Sequence, residues 1–161
     1  MQAIVCVGEN WGIGRDGQLL FHLSADLKRF RELTLGKTVL LGSRTLATLP
    51  GGKPLPERRC VVLTRSPEPI PGVETVHTVK DALAAVGGDA IVIGGASVYA
   101  LLLPHCERVK VTKVCASPKA DSFFPNLDAH PDWRVESESG LMEENGLKFR
   151  FIDYVKVKGH G

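Results

Sequence analysis

Short runs of β-branched and apolar residues alternate along the chain with segments in which apolar residues repeat at helical spacing. The runs that predict strands occupy residues 3–7, 38–41, 60–64, 73–76, 90–93 and 108–115, and the segments that predict helices occupy residues 24–34, 43–48, 79–86 and 96–103. Strands that are apolar on both faces and alternate with helices are typical of a parallel sheet covered on both sides. The pattern therefore predicts an α/β fold, with a mainly parallel sheet of about eight strands and helices on both faces.

The last part of the chain has a different pattern. Two strand-like segments, Trp133 to Glu138 and Leu147 to Lys158, flank the turn Glu144-Asn145-Gly146. Asn-Gly favours the tight turn of a two-residue hairpin. We therefore predict a C-terminal antiparallel hairpin that closes the edge of the sheet.

Composition limits the class of protein. The chain has 161 residues without repeat or linker, which predicts a single domain over residues 1–161, and its hydrophobic content of 43% is ordinary for a soluble protein. No apolar run approaches the roughly 20 residues of a membrane span and no signal peptide begins the chain, so we expect a cytoplasmic protein. Cys6, Cys60 and Cys115 lie in apolar strand-like segments, which predicts buried free thiols and no metal site.

The net charge of +2 is too small to indicate a nucleic-acid-binding protein, but its distribution is uneven. Residues 1–80 carry 11 Lys and Arg against 7 Asp and Glu. Much of this excess lies near the ends of predicted elements, at Arg44, Arg58, Arg59 and Arg65. Arginines on such loops suit a small polyanionic ligand, although a solvated face explains any one of them equally well.

Two glycine motifs match phosphate-binding signatures in their letters but not in their context. Gly36-Lys37-Thr38 precedes a predicted strand, and Arg31 stands where a P-loop has its first glycine. The segment Gly12 to Gly17 matches Gly-x-Gly-x-x-Gly, but the next helix begins only near Ser24, and Asp16-Gly17 predicts a tight turn. We interpret Gly12 to Gly17 as a mobile loop and a candidate lid over the carboxyl end of the sheet.

A third glycine motif is in the right context. Gly94-Gly95 follows the predicted strand 90–93 and leads directly into the predicted helix 96–103. Without Cβ atoms, a phosphate can approach the free backbone N–H groups at the start of that helix. Tight packing between strand and helix explains the pair equally well, so both explanations stay open.

Asp26 is the most informative side chain of the first predicted helix. Ser24 is the predicted N-cap of this helix, and Leu23 is placed for a hydrophobic staple. The predicted inward stripe consists of Leu27, Phe30 and Thr34. Asp26 is either a first-turn acid that complements the helix dipole, which the segment alone favours, or a carboxylate facing an apolar cleft. In the second case burial would raise its pKa and an N–H-bearing heterocycle would satisfy it.

Seven segments, taken together in order and spacing, carry a resemblance to a known family. They are Gly12 to Gly14, Leu23 to Leu27 with Phe30, Thr34 to Lys37, Gly42 to Thr45, Leu55 to Arg58, Ile93 to Gly95 with Val98 and Tyr99, and Asp121 to Pro125. Over its whole length the chain resembles bacterial dihydrofolate reductase. The resemblance implies hydride transfer from NADPH to the pterin ring of 7,8-dihydrofolate, giving the tetrahydrofolate that one-carbon metabolism uses. It also implies a monomer that antifolates inhibit and that binds neither nucleic acid nor membrane.

The resemblance implies roles on the substrate side. Asp26 would hold the N–H edge of the pterin and favour protonation electrostatically, with Thr112 in the same hydrogen-bond network and the proton arriving through water. Arg58 would bind the glutamate carboxylate of the substrate as a bidentate fork. The implied catalytic residues are Asp26, Thr112, Phe21 and Leu19, and the implied substrate-binding residues are Ile4, Asp26, Leu27, Phe30, Arg31, Leu49, Leu55, Arg58, Ile93 and Thr112.

It also implies a cofactor site. Backbone N–H groups of Gly94 to Val98 would bind the pyrophosphate of NADPH, with a cis peptide bond within the glycine pair. Thr64-Arg65, assisted by His77, would bind the 2′-phosphate, which predicts NADPH over NADH. The implied cofactor-binding residues are Cys6, Ile13, Gly14, Gly17, Gln18, Leu19, Gly42, Arg44, Thr45, Thr64, Arg65, His77, Gly94, Gly95, Ala96, Ser97, Val98 and Tyr99.

Two departures from the family pattern concern the lid and the cofactor helix. Leu20-Phe21 stands where the family usually has Pro-Trp, which removes an indole N–H that anchors a water and a proline that stiffens the lid. Gly42-Ser43 replaces the usual Gly-Arg and leaves Arg44 as the cation there. We hypothesise a working enzyme with altered lid motion and altered antifolate sensitivity. Unchanged turnover and inhibitor affinity after Leu20→Pro with Phe21→Trp would contradict this hypothesis.

Two other functions stay open. A pyrimidine or riboflavin-pathway reductase could have the same fold, although Asp26 with Phe30 and Arg58 argues for a pterin that has a glutamate tail. A non-catalytic nucleotide-binding module could keep Gly94-Gly95 and lose turnover. Tight NADPH binding without NADPH oxidation would indicate the second alternative.

Overall fold

The computed structural model describes residues 1–157. Its strands are β1 (Gln2–Val7), β2 (Gly12–Arg15), β3 (Gln18–Leu19), β4 (Thr38–Gly42), β5 (Arg59–Leu63), β6 (Glu74–Val76), β7 (Ile91–Gly94), β8 (Arg108–Val114), β9 (Ser122–Phe123), β10 (Trp133–Glu138), β11 (Met142–Glu144) and β12 (Leu147–Lys156). Its α-helices are α1 (Ser24–Thr34), α2 (Ser43–Thr48), α3 (Val79–Ala85) and α4 (Ala96–Leu102). Short 3₁₀ turns occupy Pro50–Gly52, Leu103–His105 and Leu127–Ala129.

The main sheet has the strand order β10-β12-β8-β1-β7-β4-β5-β6, with β11 also paired to β12. The pairs from β8 across to β6 are parallel, whereas β12 is antiparallel to β8, β10 and β11. The predicted α/β class, with a mainly parallel sheet and an antiparallel C-terminal edge, is therefore confirmed.

Successive side chains of a strand point to opposite faces of the sheet, so these apolar strands present an apolar surface on each face. Helices cover both surfaces. On one face, Leu40 and Val61 share a cluster with Ala82 of α3 and Leu102 of α4. On the other face, the neighbouring strand residues Val39, Leu41 and Val62 pack with Leu46 of α2. Within residues 1–157, no helix is both long and apolar enough to cross a membrane.

The two central strands β1 and β7 separate towards their carboxyl ends. Their paired residues are Gln2 with Ile91 and Ala3 with Val92, whereas β1 remains paired to β8 along its whole length. The strand order also reverses here, because β7 lies between β1 and β4. Ligands of open α/β sheets bind in the crevice that such a reversal creates.

The start of α1 differs from the prediction. Ser24 is the first helical residue and Leu23 holds the N-cap position, so the prediction of Ser24 as N-cap is wrong. The Glu144 carboxylate accepts hydrogen bonds from the backbone N–H groups of Ser24 and Ala25, at 2.6 and 3.1 Å. The predicted inward stripe is wrong at Leu27, which is 58% exposed. A carboxylate distant in the chain takes the place of a local cap.

The segment Gly12 to Gly17 forms a hairpin, so the prediction of a loop is wrong. Strands β2 and β3 pair with each other, and β9 pairs with β2 to complete a small second sheet. Asp16 and Gly17 have φ of +53° and +76°, the positive values of a tight hairpin turn, which confirms the turn predicted there. These strands of two to four residues have too few positions to show an alternating pattern.

The Asn145-Gly146 turn is confirmed, but it joins β11 to β12, with Glu144 opposite Leu147. The C-terminal edge therefore has three strands, since β10 also pairs with β12. The predicted end of the last strand, Lys158, lies outside the described residues. The structure places Cys60 in the core and leaves Cys6 half-buried. Cys115 is exposed because it follows the end of β8, so a buried thiol there is contradicted.

Candidate active site

The carboxyl-end crevice is closed at its floor by a tyrosine. Where β1 leaves β7, the Ile4 carbonyl accepts a hydrogen bond from the Tyr99 hydroxyl at 2.6 Å. Tyr99 comes from α4 and is 5% exposed, so its hydroxyl replaces the strand partner that β7 no longer provides. The side chain of Tyr99 is thus part of the core.

Asp26 and Thr112, both predicted for the substrate side, are in direct contact. The Thr112 hydroxyl donates a hydrogen bond to the Asp26 carboxylate at 2.6 Å, although the residues are 86 positions apart. Thr112 is one of two polar residues buried in the described part of the chain, and it lies on β8 beside Cys6 of β1. The structure thus brings together the two residues that the resemblance connected.

The surroundings of Asp26 favour its protonated form. Burial raises the pKa of Asp26, and the Thr112 hydrogen bond and the charge of Arg29 oppose this rise. Burial also raises the pKa of Tyr99 and Cys6, and the nearby Asp26 charge adds to both shifts. The raised pKa agrees with the second explanation for Asp26, in which it faces an apolar cleft.

The apolar residues predicted for the substrate come from several elements. Leu49, Leu55 and Ile93 pack at the edge of the cluster that contains Leu41 and Leu46. Phe30 of α1 is half-buried. Leu27, which was also predicted for the substrate, is 58% exposed.

Arg58 is held in position before any ligand binds. Its Nε donates to the Thr34 hydroxyl at 2.9 Å and its Nη1 to the Pro56 carbonyl at 2.8 Å. Thr34 lies on the buried side of α1, so Arg58 is anchored to the helix that carries Asp26. Arg31, in the last turn of the same helix, is exposed.

The glycine pair lies against the start of α2. Gly94 has a φ of +127°, a value that favours glycine, and the Gly94-Gly95 peptide bond is cis, as the resemblance implies. A Cβ built on Gly95 would be 3.2 Å from the Thr45 hydroxyl, and one built on Gly42 would be 3.9 Å from the Gly95 nitrogen. A side chain on Gly95 would therefore crowd the Thr45 hydroxyl.

The other predicted cofactor residues differ in their exposure. Arg44 and Ser97 are exposed, Ala96 is half-buried, and the side chain of Val98 is in the core, so Val98 can offer a ligand only its backbone. Thr64 follows β5, and its carbonyl lies 2.9 Å from His77 Nδ1. Arg65 and His77 are exposed.

Arg59, by contrast, is paired with a carboxylate of the protein itself. It forms an ion pair with Glu74 of β6, with Nη2 at 3.1 Å from a carboxylate oxygen. The solvated-face explanation therefore applies to Arg59.

The predicted lid residues divide into an exposed tip and a buried base. The hairpin tip, with Gly17, Gln18 and Leu19, is exposed, and Leu19 is 62% exposed. Ile13 is buried, and Gly14 is half-buried at its base. These residues share one hairpin. The Asp121 carboxylate holds its turn by accepting a hydrogen bond from the Asp16 N–H at 2.9 Å.

Phe21 lies deeper than the lid. It is 8% exposed and packs with Leu23, Val114 and Phe149. Its ring is therefore held in the core next to the start of α1.

Comparison with known proteins places the whole chain in one group. The family model described as dihydrofolate reductase matches residues 1–156. The chain is 34% identical to a dihydrofolate reductase of Bacillus subtilis over 158 residues, covering 95% of this chain and 92% of that protein. It is 39% identical to one of Mycobacterium tuberculosis over 147 residues, covering 88% of this chain and 89% of the other. A solved dihydrofolate reductase from Enterococcus faecalis, complexed with NADP(H) and RAB-propyl, superposes with a TM-score of 0.85 at 32% identity and covers 96% of this chain and 95% of its own.

Proposed function

The chain belongs to the dihydrofolate reductase family of NADP-dependent oxidoreductases, and from this premise we propose how its residues reduce 7,8-dihydrofolate. The observation that carries the proposal is the half-buried Asp26 carboxylate held by Thr112 at 2.6 Å. It lies at the carboxyl end of β1 and β8, where the crevice between β1 and β7 opens.

Asp26 binds the pterin and favours its protonation. An ionised carboxylate accepts hydrogen bonds from the adjacent N–H groups of the pterin edge, and in this partly buried site such charge-assisted bonds are strong. Its negative charge stabilises a protonated ring nitrogen, while the proton arrives through water. Thr112 fixes the carboxylate orientation by donating to one of its oxygens.

Arg58 selects the tail of the substrate. Two of its guanidinium nitrogens are already fixed by Thr34 and Pro56, so the fork is preorganised for a carboxylate at the mouth of the crevice. Between Arg58 and Asp26, the apolar residues Phe30, Leu49 and Leu55 cover the flat rings of the substrate, with Leu27 and Arg31 at the rim. Antifolate inhibitors would occupy the same surface.

The residues present fit NADPH. The side-chain-free backbone at Gly94 and Gly95 leaves room for a pyrophosphate, next to the Thr45 hydroxyl and the exposed Arg44. Arg65 would supply positive charge for a 2′-phosphate, and His77 would assist by hydrogen bonding. When bound, NADPH supplies the hydride. The hairpin of β2 and β3 would cover the nicotinamide end and exclude water, with Leu19 contributing from its tip.

The test follows NADPH absorbance after addition of dihydrofolate, with wild type and Asp26→Asn side by side. We expect rapid oxidation by wild type and severe impairment of Asp26→Asn near neutral pH, because asparagine lacks the charge that favours protonation. NADPH affinity, measured by fluorescence titration, should be the same in both proteins. Wild-type NADPH binding without oxidation would refute the proposal and would direct the search to other heterocycles.

A further inference from the structure

The first turn of α1 is fastened to the C-terminal edge of the sheet. Glu144 is the last residue of β11, and its two carboxylate oxygens accept from the Ser24 and Ala25 N–H groups at 2.6 and 3.1 Å. These are the two residues directly before Asp26. The first N–H groups of a helix have no partner within the helix, and Glu144 supplies one from 120 positions away along the chain.

The bonds to Glu144 are of a strong kind. A carboxylate that accepts two backbone N–H bonds holds them with its charge and with fixed geometry. In agreement, these hydrogen bonds lower the pKa of Glu144. These two hydrogen bonds, which we call the Glu144 clamp, therefore persist throughout the neutral pH range, in which Glu144 is ionised.

A second link joins α1 to the same edge one turn later. Arg29 donates to the Asp153 carboxylate of β12 at 2.8 Å, and its guanidinium lies 4.3 Å from the centre of the Phe151 ring. Phe151 is opposite Thr112 in the register of β12 and β8. Strand β12, which carries Asp153 and pairs with the Glu144 strand β11, thus also pairs with the strand that carries Thr112.

We propose that Glu144 is a positioning residue for Asp26: its carboxylate fixes the first turn of α1 so that the Asp26 side chain reaches Thr112. The inference deepens the proposed function and rests on it. Glu144 touches the helix backbone and acts through it, so it is distinct from the residues that contact substrate.

Loss of the clamp has a defined consequence for Asp26. If the first turn of α1 loosens while the Arg29–Asp153 link keeps the helix on the sheet, Asp26 stays half-buried but its hydrogen bond to Thr112 weakens. An influence that lowers the pKa of Asp26 is then lost, while burial, the largest influence, continues to raise it. The ionisable groups facing Asp26 are Arg29 on its own helix, Cys6 from β1 and Tyr99 from α4. None of them is changed by substitution of Glu144, so the expected direction is a rise in the Asp26 pKa.

The experiment compares Glu144→Ala and Glu144→Gln with Glu143→Ala. Glu143 is the adjacent, exposed carboxylate of β11 and serves as the matched control. Titration of the Asp26 carboxyl by ¹³C NMR, without substrate or cofactor, gives its pKa, and single-turnover hydride transfer gives the rate across pH. We expect Glu144→Ala to raise the Asp26 pKa and to slow hydride transfer on the order of tenfold, because small displacements of a catalytic group are costly. Glu144→Gln, which keeps one acceptor oxygen, should lie between Glu144→Ala and wild type.

A background substitution separates positioning from general stabilisation. In Thr112→Val, where the bond to Asp26 is already lost, Glu144→Ala should cause no further change in the Asp26 pKa. The proposal is overturned if folded Glu144→Ala titrates and transfers hydride like Glu143→Ala, whatever its melting temperature. If Glu144→Ala does not fold, the same criterion applies to Glu144→Gln. A wild type that fails to oxidise NADPH would refute the proposed function, while the NMR titration would still decide the role of Glu144.

Discussion

Replacement of Tyr99 by phenylalanine isolates one buried hydrogen bond at the floor of the crevice. The substitution keeps the ring and its edge-on contact with Phe124, whose centroid is 4.9 Å away. It removes the hydroxyl that donates to the Ile4 carbonyl at 2.6 Å. That carbonyl lies where β1 and β7 separate, so no strand N–H of β7 takes over among the described residues.

The expected cost follows from this geometry. Leaving a buried acceptor without its partner lowers the free energy of unfolding by about 1–3 kcal/mol, which is more than an ordinary hydrogen bond contributes. In a domain of this size, each kcal/mol lowers the melting temperature by about 2–4 °C, so we expect a decrease of roughly 2–12 °C. The free energy of unfolding in urea, followed by the fluorescence of the buried Trp11 and Trp133, measures the effect directly.

Thr48→Val is the matched control. The Thr48 hydroxyl also donates to a backbone carbonyl, that of Thr45 at 2.7 Å, but the residue is exposed and water can replace the bond. Its loss should change the free energy of unfolding by no more than about 0.5 kcal/mol. If Tyr99→Phe costs no more than Thr48→Val, the Ile4 carbonyl has another partner and the reasoning about the crevice floor is refuted.

Three further predictions concern the site. Arg58→Lys should weaken dihydrofolate binding about tenfold, because lysine cannot bind a carboxylate through two N–H groups, and NADPH binding should not change. Fluorescence titrations that show an equal loss of affinity for both ligands would contradict this prediction. Because the pKa of Asp26 is raised in the folded protein, the folded state binds more protons than the unfolded state between the two pKa values, and stability falls as pH rises through the folded pKa. Asp26→Asn should therefore gain stability relative to wild type as pH rises, and a difference in urea unfolding that does not vary with pH would exclude this linkage. Gly94→Ala should lower the free energy of unfolding by about 1–3 kcal/mol, because the φ of Gly94 is +127°. Gly88→Ala, whose Cβ would have no described atom within 4 Å, should lower it little. Equal losses in the two variants would show that the backbone of Gly94 does not require glycine.

The sequence by itself determined the class of fold and the order of its main elements. Strand β4 and helix α2 were predicted within one residue of their ends, because buried parallel strands appear as continuous apolar runs and helices as a 3.6-residue repeat. The strands β2, β3, β9 and β11 were missed. They have two to four residues, and their pairing depends on partners elsewhere in the chain.

The chemistry of the site needed the tertiary structure. The helix sequence alone favoured Asp26 as a dipole-complementing acid over a cleft carboxylate. Its burial and its contact with Thr112, 86 residues away, are visible only in the folded chain. Ser24 had the sequence of an N-cap, yet Glu144 satisfies the helix start. Backbone preferences act over a few residues and are therefore visible in sequence. Burial, pKa and the partners of a polar group depend on atoms that only the folded chain brings together.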